Sequence, residues 1–370
     1  MKLSISKEQL NSGLQAVQSI VGSRTTLPIL SNVLLQASQS QVELTATDLD
    51  VTISCSVEAR VDVPGAVTLP VKKLASIVRE LAVGEVDMDI DDKLVCSICA
   101  GPSFFRVHGL AAEEFPPLPK IDGGATVVLA QEKFKRMVQR TAFATSNDEV
   151  RYVLNGLFFS FKEHKVTAVA TDGRRLALAE EEVELSPDRQ REFIVPTKAV
   201  NEIKRLLQGS GEVEIAPAEN QAAFHMRPEQ GLQVRLTTKL VDGVYPNYQQ
   251  VIPRESKERV TLVREELLQA LRRAEIMTSE KTNSVKLAFG RDNLLITANT
   301  PEVGEARESV AVNFKGNDVA IAFNPRVLLD ALEALDEEEV YLELTDELSP
   351  GLLKTNRPFL YVIMPMRMNS

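Results

Sequence analysis

The sequence has few of the residues on which catalytic and metal sites depend. Its 370 residues include three cysteines, three histidines and no tryptophan. Three cysteines do not make a disulfide framework in a chain of this length. Cys96 and Cys99 form a Cys-x-x-Cys pair, but their segment has the pattern of a strand, where an odd separation places two side chains on opposite faces. We therefore predict structural thiols, and we expect neither a metal nor a cofactor.

Long apolar runs are also missing. No stretch is long enough to span a bilayer, and the N-terminal segment lacks the apolar core of a signal peptide. The hydrophobic fraction of 44% and the charged fraction of 25% are those of an ordinary soluble globular protein. We therefore expect a cytoplasmic protein that makes no membrane contact and is long enough for two or three domains.

One pattern occurs three times along the chain. Three stretches alternate apolar and polar residues around a turn, as hairpins do, and share an alanine: Ala46, Ala170 and Ala298. A helical pattern precedes each stretch, and a short strand, a proline and an amphipathic helix follow it. The prolines are Pro70, Pro196 and Pro325. We therefore predict an α+β fold of three repeated domains, each with two helices and about eight short strands, at 1–122, 123–253 and 254–370.

Positive charge is concentrated in three of the six predicted helices, although the net charge is −10 and the pI is about 5.1. In the helix that opens the second repeat, Lys133, Arg136 and Arg140 lie at i, i+3 and i+7, opposite an apolar stripe. Lys198 and Arg205 repeat this spacing in the next helix. Most charge runs are only solvated helix faces. A one-signed excess that recurs across repeats nevertheless favours contact with a phosphate backbone, without sequence readout.

Six stretches spread over the chain carry a family resemblance. They are RTTLPILSN (24–32), EVRYVLNGLFF (149–159), VATDGRRLA (169–177), TKLVDGVYPNYQQVIP (238–253), ITANTPE (296–302) and YVIMPMRM (361–368). Each is weak alone, but together they are highly specific. On these stretches the sequence resembles the bacterial β sliding clamps, the processivity subunits of DNA polymerase III. The resemblance covers the whole chain and implies a DNA replication protein that has no catalytic residues.

The resemblance also implies an assembly. Two copies of a clamp chain pair head to tail into a six-domain ring with the helices around the hole and the sheets outside. Phe105 and Val107 of one copy are then expected to meet Ile276 and Met277 of the other. The implied partners are encircled duplex DNA, the catalytic subunit of DNA polymerase III, the clamp loader, and other polymerases and repair proteins that carry short linear motifs. The cations predicted to face DNA are Arg24, Lys72, Lys73, Lys133, Lys135, Arg136, Arg140, Arg151, Lys198, Lys204 and Arg205.

The TDGRRL stretch looks like a phosphate site, but in this family it belongs to a pocket for partner peptides. The residues that the resemblance assigns to the pocket are Leu154, Thr171, Gly173, Arg174, Arg175, Leu176, Pro246, Val251, Val362, Met364, Pro365, Met366 and Arg367. Its methionines and other apolar side chains suit several partners. We expect Arg175 and Arg367 to hold polar parts of a motif. Family members commonly have histidine at the position of Arg174, so the charge of the pocket rim differs here.

Two alternatives compete with a clamp. An enzyme that used Asp172, Arg174 and Arg175 on a phosphate substrate would need a base, a nucleophile or a metal set beside them. The sequence shows no such set, and the first repeat has Thr-Asp-Leu-Asp at the equivalent turn. The second alternative is a scaffold that binds peptides but never encircles DNA. The sequence does not separate this scaffold from a ring.

Overall fold

The computed structural model describes residues 1–22, 27–82, 84–119, 121, 126–185, 190–279 and 283–367. The chain divides into two compact units. The first unit comprises Met1–Lys135 and Lys198–Leu240, and the second comprises Arg136–Thr197 and the chain from Val241 onward. Among the described residues, no helix is long and apolar enough to cross a membrane.

Six helices and twenty-five strands lie within the described ranges. The helices are α1 (Lys7–Val17), α2 (Val71–Glu80), α3 (Gln131–Thr141), α4 (Thr197–Leu206), α5 (Arg264–Glu275) and α6 (Pro325–Ala334). The strands are β1 (Lys2–Ser6), β2 (Asn32–Ser38), β3 (Gln41–Thr47), β4 (Val51–Glu58), β5 (Arg60–Val63), β6 (Gly65–Pro70), β7 (Glu85–Ile90), β8 (Val95–Ala100), β9 (Ser103–His108), β10 (Val127–Ala130), β11 (Gly156–Lys162), β12 (Lys165–Thr171), β13 (Arg175–Glu182), β14 (Arg191–Pro196), β15 (Glu212–Pro217), β16 (Gln221–Arg227), β17 (Val234–Lys239), β18 (Glu258–Val263), β19 (Val285–Gly290), β20 (Asn293–Thr300), β21 (Gly304–Ala311), β22 (Val319–Phe323), β23 (Glu339–Leu344), β24 (Gly351–Lys354) and β25 (Phe359–Ile363).

Each unit contains one eight-stranded sheet and one smaller sheet. In the first unit the strand orders are β10-β15-β16-β17-β4-β3-β2-β6 and β5-β1-β7-β8-β9. In the second unit they are β14-β11-β12-β13-β25-β24-β23-β18 and β21-β20-β19-β22. The apolar faces of the helices pack as their spacing predicts, with α2, for example, burying Val71, Leu74 and Val78.

The predicted three-repeat α+β fold is confirmed. The hairpins β3–β4, β12–β13 and β20–β21 each contain the shared alanine, and Ala46, Ala170 and Ala298 are all buried. A helix opens and another closes this pattern in each repeat. The described part of the first repeat contains nine strands, and that of each of the other two contains eight. The residue limits of the three domains stay a prediction.

Consecutive repeats are joined by one antiparallel strand pair. In the first unit β4 pairs with β17, and Ile53 lies opposite Leu236. In the second unit β13 pairs with β25, and Ala177 lies opposite Tyr361. These two junctions join equivalent strands in the same register, since in each case the residue opposite the closing strand is the hairpin partner of the shared alanine.

The two cysteines of the Cys-x-x-Cys pair lie on strand β8, as their pattern predicted. Cys96 is buried, and burial with a smaller contribution from Asp89 raises the pKa of its thiol to about 12. Cys99 is partly exposed. A thiol that stays protonated is a poor metal ligand and a poor nucleophile, so Cys96 serves as a core residue.

Candidate functional site

The turn between β12 and β13 is held by its own side chains. The Thr171 hydroxyl donates to the carbonyl of Arg175 at 2.6 Å and accepts from the N–H of Gly173 at 3.1 Å. Asp172 Oδ1 accepts from the N–H groups of Arg174 and Arg175 at 2.8 and 3.1 Å. The carboxylate is thus used to close the turn, which is a common role for aspartate in this position.

Gly173 is required at the tip of this turn for two reasons. Its φ is +87°, which side chains with a Cβ rarely adopt. A Cβ would also lie 2.5 Å from Nη1 of Arg151. The Arg151 guanidinium, held by Asp148 with Nε 2.9 Å from Oδ2, therefore lies directly against the turn.

The Arg175 side chain is bound within the chain on three sides. Its Nε donates to Asp172 at 3.0 Å, Nη1 donates to Asp330 of α6 at 2.6 Å, and Nη2 donates to the carbonyl of Phe143 at 2.8 Å. Only 12% of the side chain is exposed. The expectation that Arg175 binds a polar group of a partner is therefore not supported, because the guanidinium stabilises the turn itself.

Three of the predicted pocket residues belong to one buried apolar cluster. They are Leu154, Leu176 and Val362, and Leu176 and Val362 pair across β13 and β25. The cluster continues through Phe158 and Tyr245, whose rings stack with centroids 4.8 Å apart. It gives the site an apolar floor within the second unit.

The rim of this floor is apolar and exposed. Val251 and Met364 are 50% and 46% exposed, Pro246 is exposed, and Pro365 and Met366 are partly buried. The N–H of Met364 donates to the carbonyl of Arg174 at 3.0 Å, so the segment after β25 lies beside the turn. The N–H of Met366 donates to Ala322 at 2.7 Å and fixes the next residues.

Two cations lie at the predicted rim. Arg174 and Arg367 are exposed, and neither side chain pairs with an acidic residue in the described part of the chain. These cations, unlike Arg175, have donors available for a ligand. The site thus combines an apolar floor, a flexible methionine and available guanidinium groups, which is the chemistry of peptide recognition.

The sequence did not single out Val244 and Tyr152, which are among the exposed apolar residues of this region. Val244 is 90% exposed and Tyr152 is 56% exposed. A Cβ on Gly243 would lie 2.8 Å from Val153, so the loop that carries Val244 packs on the 149–154 turn that carries Tyr152. Both residues fall within stretches that carry the resemblance, and their exposure is the signal that only the structure supplies.

Most of the predicted DNA-facing lysines are exposed, whereas the described arginines of this set are bonded within the chain. In the first unit Lys72, Lys73 and Lys204 are exposed, and Lys198 is exposed but pairs with Asp48. Arg205 donates to the carbonyl groups at the end of α1, with Nη2 2.7 Å from the Ala16 oxygen. Lys133 is exposed, Lys135 is partly buried, and Arg24 lies outside the described residues.

The prediction that Arg140 faces DNA is wrong. Its side chain is only 4% exposed, and its Nη2 lies 2.7 Å from Asp336 and 2.5 Å from Glu337. Helical spacing placed Arg140 on the face of Lys133, but the acidic segment after α6 covers the end of that face. Arg136, on the same helix, is partly buried and pairs with Glu181 at 3.2 Å.

Three of the four residues expected at a contact between copies are at least partly exposed. Phe105 is 38% exposed and Val107 9% exposed on β9, the last strand of its sheet. Ile276 is 72% exposed, and Met277 beside it is partly exposed, directly after α5. Strand β21 is the last strand of the four-stranded sheet in the second unit.

Three α+β repeats joined by equivalent strand pairs define the class of the clamp proteins. Models of the DNA polymerase III beta subunit match the chain in three consecutive parts: the N-terminal domain at 1–119, the central domain at 128–247 and the C-terminal domain at 249–367. The chain belongs to the DNA polymerase III beta subunit family. This membership excludes the phosphate-substrate enzyme that the sequence left open.

Individual relatives match over their whole length. The beta sliding clamp of Chlamydia muridarum is 36% identical over 370 residues, which cover 100% of each chain. The solved structure of the sliding clamp of Bacillus subtilis has a TM-score of 0.93 at 29% identity, with 100% of each chain covered. The DNA polymerase III subunit beta of Pseudomonas aeruginosa has a TM-score of 0.93 at 34% identity, again over 100% of each chain.

Proposed function

We propose that two copies of this chain close head to tail into a ring that encircles duplex DNA in the cytoplasm and tethers DNA polymerase III for processive synthesis. The clamp loader opens and loads this ring. The pocket in the second unit takes the short linear motifs of the polymerase catalytic subunit and of other polymerases and repair proteins. Family membership supports the sliding-clamp function.

The repeated strand junction is the observation that supports a ring. The chain joins its first repeat to its second, and its second to its third, through equivalent strand pairs. Within the described residues, β21 of the third repeat and β9 of the first have no partner on their outer sides. A second copy supplies the missing partner to each strand, and contact between unlike ends repeats until the assembly closes.

We infer the register of the junction between copies from the repeat. Phe105 holds in β9 the position of the closing-strand residue in the two junctions within the chain, and Ala306 holds the corresponding hairpin position in β21. We therefore place Phe105 of one copy opposite Ala306 of the other. The same register places Arg106 opposite Glu305, where opposite charges stabilise a cross-strand pair.

Charge reversal tests this junction. Arg106→Glu should shift the equilibrium toward single chains in sedimentation at micromolar concentration, since like charges then face each other at both junctions. The double variant Arg106→Glu with Glu305→Arg should restore the mass of the dimer. Loss of the dimer in the double variant, as in the single one, would contradict the register.

The exposed lysines favour the proposal that duplex DNA passes through the hole of the ring. Lys73 and Lys204 pair with no acidic residue in the described part of the chain, so their ammonium groups are available to phosphates. Contacts of this kind are independent of sequence and weaken with salt. They attract duplex DNA without holding one register, as sliding requires.

Retention on DNA tests the whole function. The protein is loaded with a matching clamp loader and ATP onto a nicked circle, washed at high salt, and released by cutting the circle. A ring that encircles DNA should resist the salt and leave after the cut. Binding that fades with salt and ignores the cut would support a non-encircling scaffold and overturn the proposal.

A further inference from the structure

A small cavity in the first unit is lined by basic side chains that the clamp function does not use. Its volume is about 310 Å³, at the low end of the range for ligand sites. Strand β16 supplies His225 and Arg227, β17 supplies Arg235, and β15 supplies Glu214. The cavity is separate from the peptide pocket, every residue of which lies in the second unit.

The strand register brings these side chains together. His225 lies directly opposite Glu214 on one side and Arg235 on the other, so the three form a row across the sheet. Arg227 follows two positions after His225 on the same face. Ala216 and Ala223, a neighbouring cross-strand pair, line the cavity with small side chains and leave room beside the row.

The hydrogen bonds of these side chains show which donors remain available to a ligand. Nε of Arg227 donates to Nδ1 of His225 at 3.2 Å, and Nη2 of Arg227 lies 2.6 Å from Glu214. Because Nδ1 is an acceptor, the neutral ring carries its proton on Nε2 and has a donor to offer. Arg235 pairs with no acidic residue in the described part of the chain.

The charges around His225 do not balance when Arg227 is counted with the row. Two guanidinium groups face one carboxylate, and the chain as a whole carries −10. Burial lowers the pKa of His225, the charge of Arg227 lowers it further, and Arg235 adds to this effect against the opposing Glu214. Both arginine charges therefore disfavour protonation of the same ring. An anion between the two guanidinium groups would offset their positive charge.

We propose that Arg227, Arg235 and His225 form a binding site for a phosphate group, which is either inorganic phosphate or the phosphate of a nucleotide. Guanidinium groups match the oxygens of a tetrahedral anion two at a time, and the imidazole N–H supplies a further donor. Glu214 holds Arg227 in place and leaves one net positive charge to meet the ligand.

The three histidines of the chain make a direct test. The imidazole signals of His108, His164 and His225 are followed by NMR in the full-length protein, with His225→Gln to assign the third. Inorganic phosphate and adenosine 5′-monophosphate are added at constant ionic strength, and adenosine serves as the control without phosphate. We expect saturable shifts of the His225 signal alone with both phosphate compounds and none with adenosine.

Matched variants sharpen the result. Arg235→Gln should weaken the phosphate response about tenfold, as expected for a lost charged hydrogen bond. Arg191→Gln changes the net charge equally, but among the described residues the Arg191 side chain bonds only to the carbonyl of its neighbour Gln190, so the response should stay as in the parent. Equal shifts at all three histidines, an unchanged response in Arg235→Gln with an unchanged melting temperature, or an equal response to adenosine would each overturn the proposal.

Discussion

The turn that joins β3 to β4 and the turn that joins β12 to β13 have the same frame. The hydroxyl groups of Thr47 and Thr171 each donate to the carbonyl four residues later, at 3.0 and 2.6 Å. The carboxylates of Asp48 and Asp172 each accept from the N–H groups two and three residues later. A closing strand also ends beside both turns, since Lys239 donates its N–H to Asp50 and Met364 donates to Arg174.

The surroundings of the two turns differ. At the first turn two exposed lysines pair with its carboxylates, Lys198 with Asp48 and Lys239 with Asp50. The second turn has an exposed guanidinium at Arg174, and the residue at the position of Lys239 is the apolar Met364. The comparison shows that the repeat determines the backbone, whereas a few side chains decide whether the turn becomes a binding surface.

Removing Arg175 should have the largest effect on the second turn. Arg175→Met leaves the Asp172 carboxylate without its guanidinium and removes one of the two guanidinium groups that pair with Asp330, so it should lower stability by about 3 kcal/mol. The neighbouring Arg174→Met should change stability by less than about 0.5 kcal/mol, because that side chain is exposed. Urea unfolding of both variants measures the difference, and equal midpoints would contradict the role given to Arg175.

Replacing Gly173, at the tip of the second turn, by the leucine found at the tip of the first should lower stability somewhat less. Gly173→Leu forces a Cβ into a positive φ and against Arg151, and it should lower stability by about 2 kcal/mol. The effect should persist in the background of Arg151→Ala, although reduced, because the backbone term is independent of the clash. A variant as stable as the parent would show that the turn relaxes freely.

Exchanging the residues beside the turns tests the binding surface. Met364→Lys should weaken the affinity for a labelled peptide with a polymerase clamp-binding motif about tenfold, since it replaces an apolar contact by a charge. Lys239→Met, at the equivalent position in the first unit, should leave this affinity unchanged. Fluorescence anisotropy of the peptide distinguishes the two, and equal affinities would place the peptide elsewhere.

The smallest effect is expected at the tip of the first turn. Leu49 has a φ of +79°, close to the +87° of Gly173, although it carries a side chain. Leu49→Gly should raise stability by about 0.5 kcal/mol, because relief of the left-handed conformation exceeds the entropy gained by the unfolded chain. A lower melting temperature would mean that the exposed leucine makes a contact of its own.

The repeats could be predicted because their signals are local. The alternation around Ala46, Ala170 and Ala298 specifies a hairpin within about twenty residues, so a sequence pattern contains all of it. The pairing of Thr171 and Asp172 with their own turn is local in the same way. The peptide pocket came instead from the family resemblance, since its floor brings together residues as far apart as Leu154 and Val362.

The errors arose where a distant segment decided the environment. Arg140 has the spacing of an exposed helix face, but its partners Asp336 and Glu337 are nearly two hundred residues away. Arg175 looked available for the same reason, since Asp330 of α6 is not visible from the turn. Helical periodicity describes which way a side chain leaves its helix, and it contains no information on what covers that side.

The cysteines of the chain differ enough to act as a chemical handle. Burial, with a contribution from Glu43, raises the pKa of Cys55 to about 12, and the pKa of Cys96 is raised to the same value. Neither residue therefore forms the thiolate that reacts with a maleimide. Cys99 is partly exposed, and it lies opposite Phe104 of the edge strand β9. A dye attached to the natural sequence would therefore select one position, and its emission would report directly on whether that strand is covered.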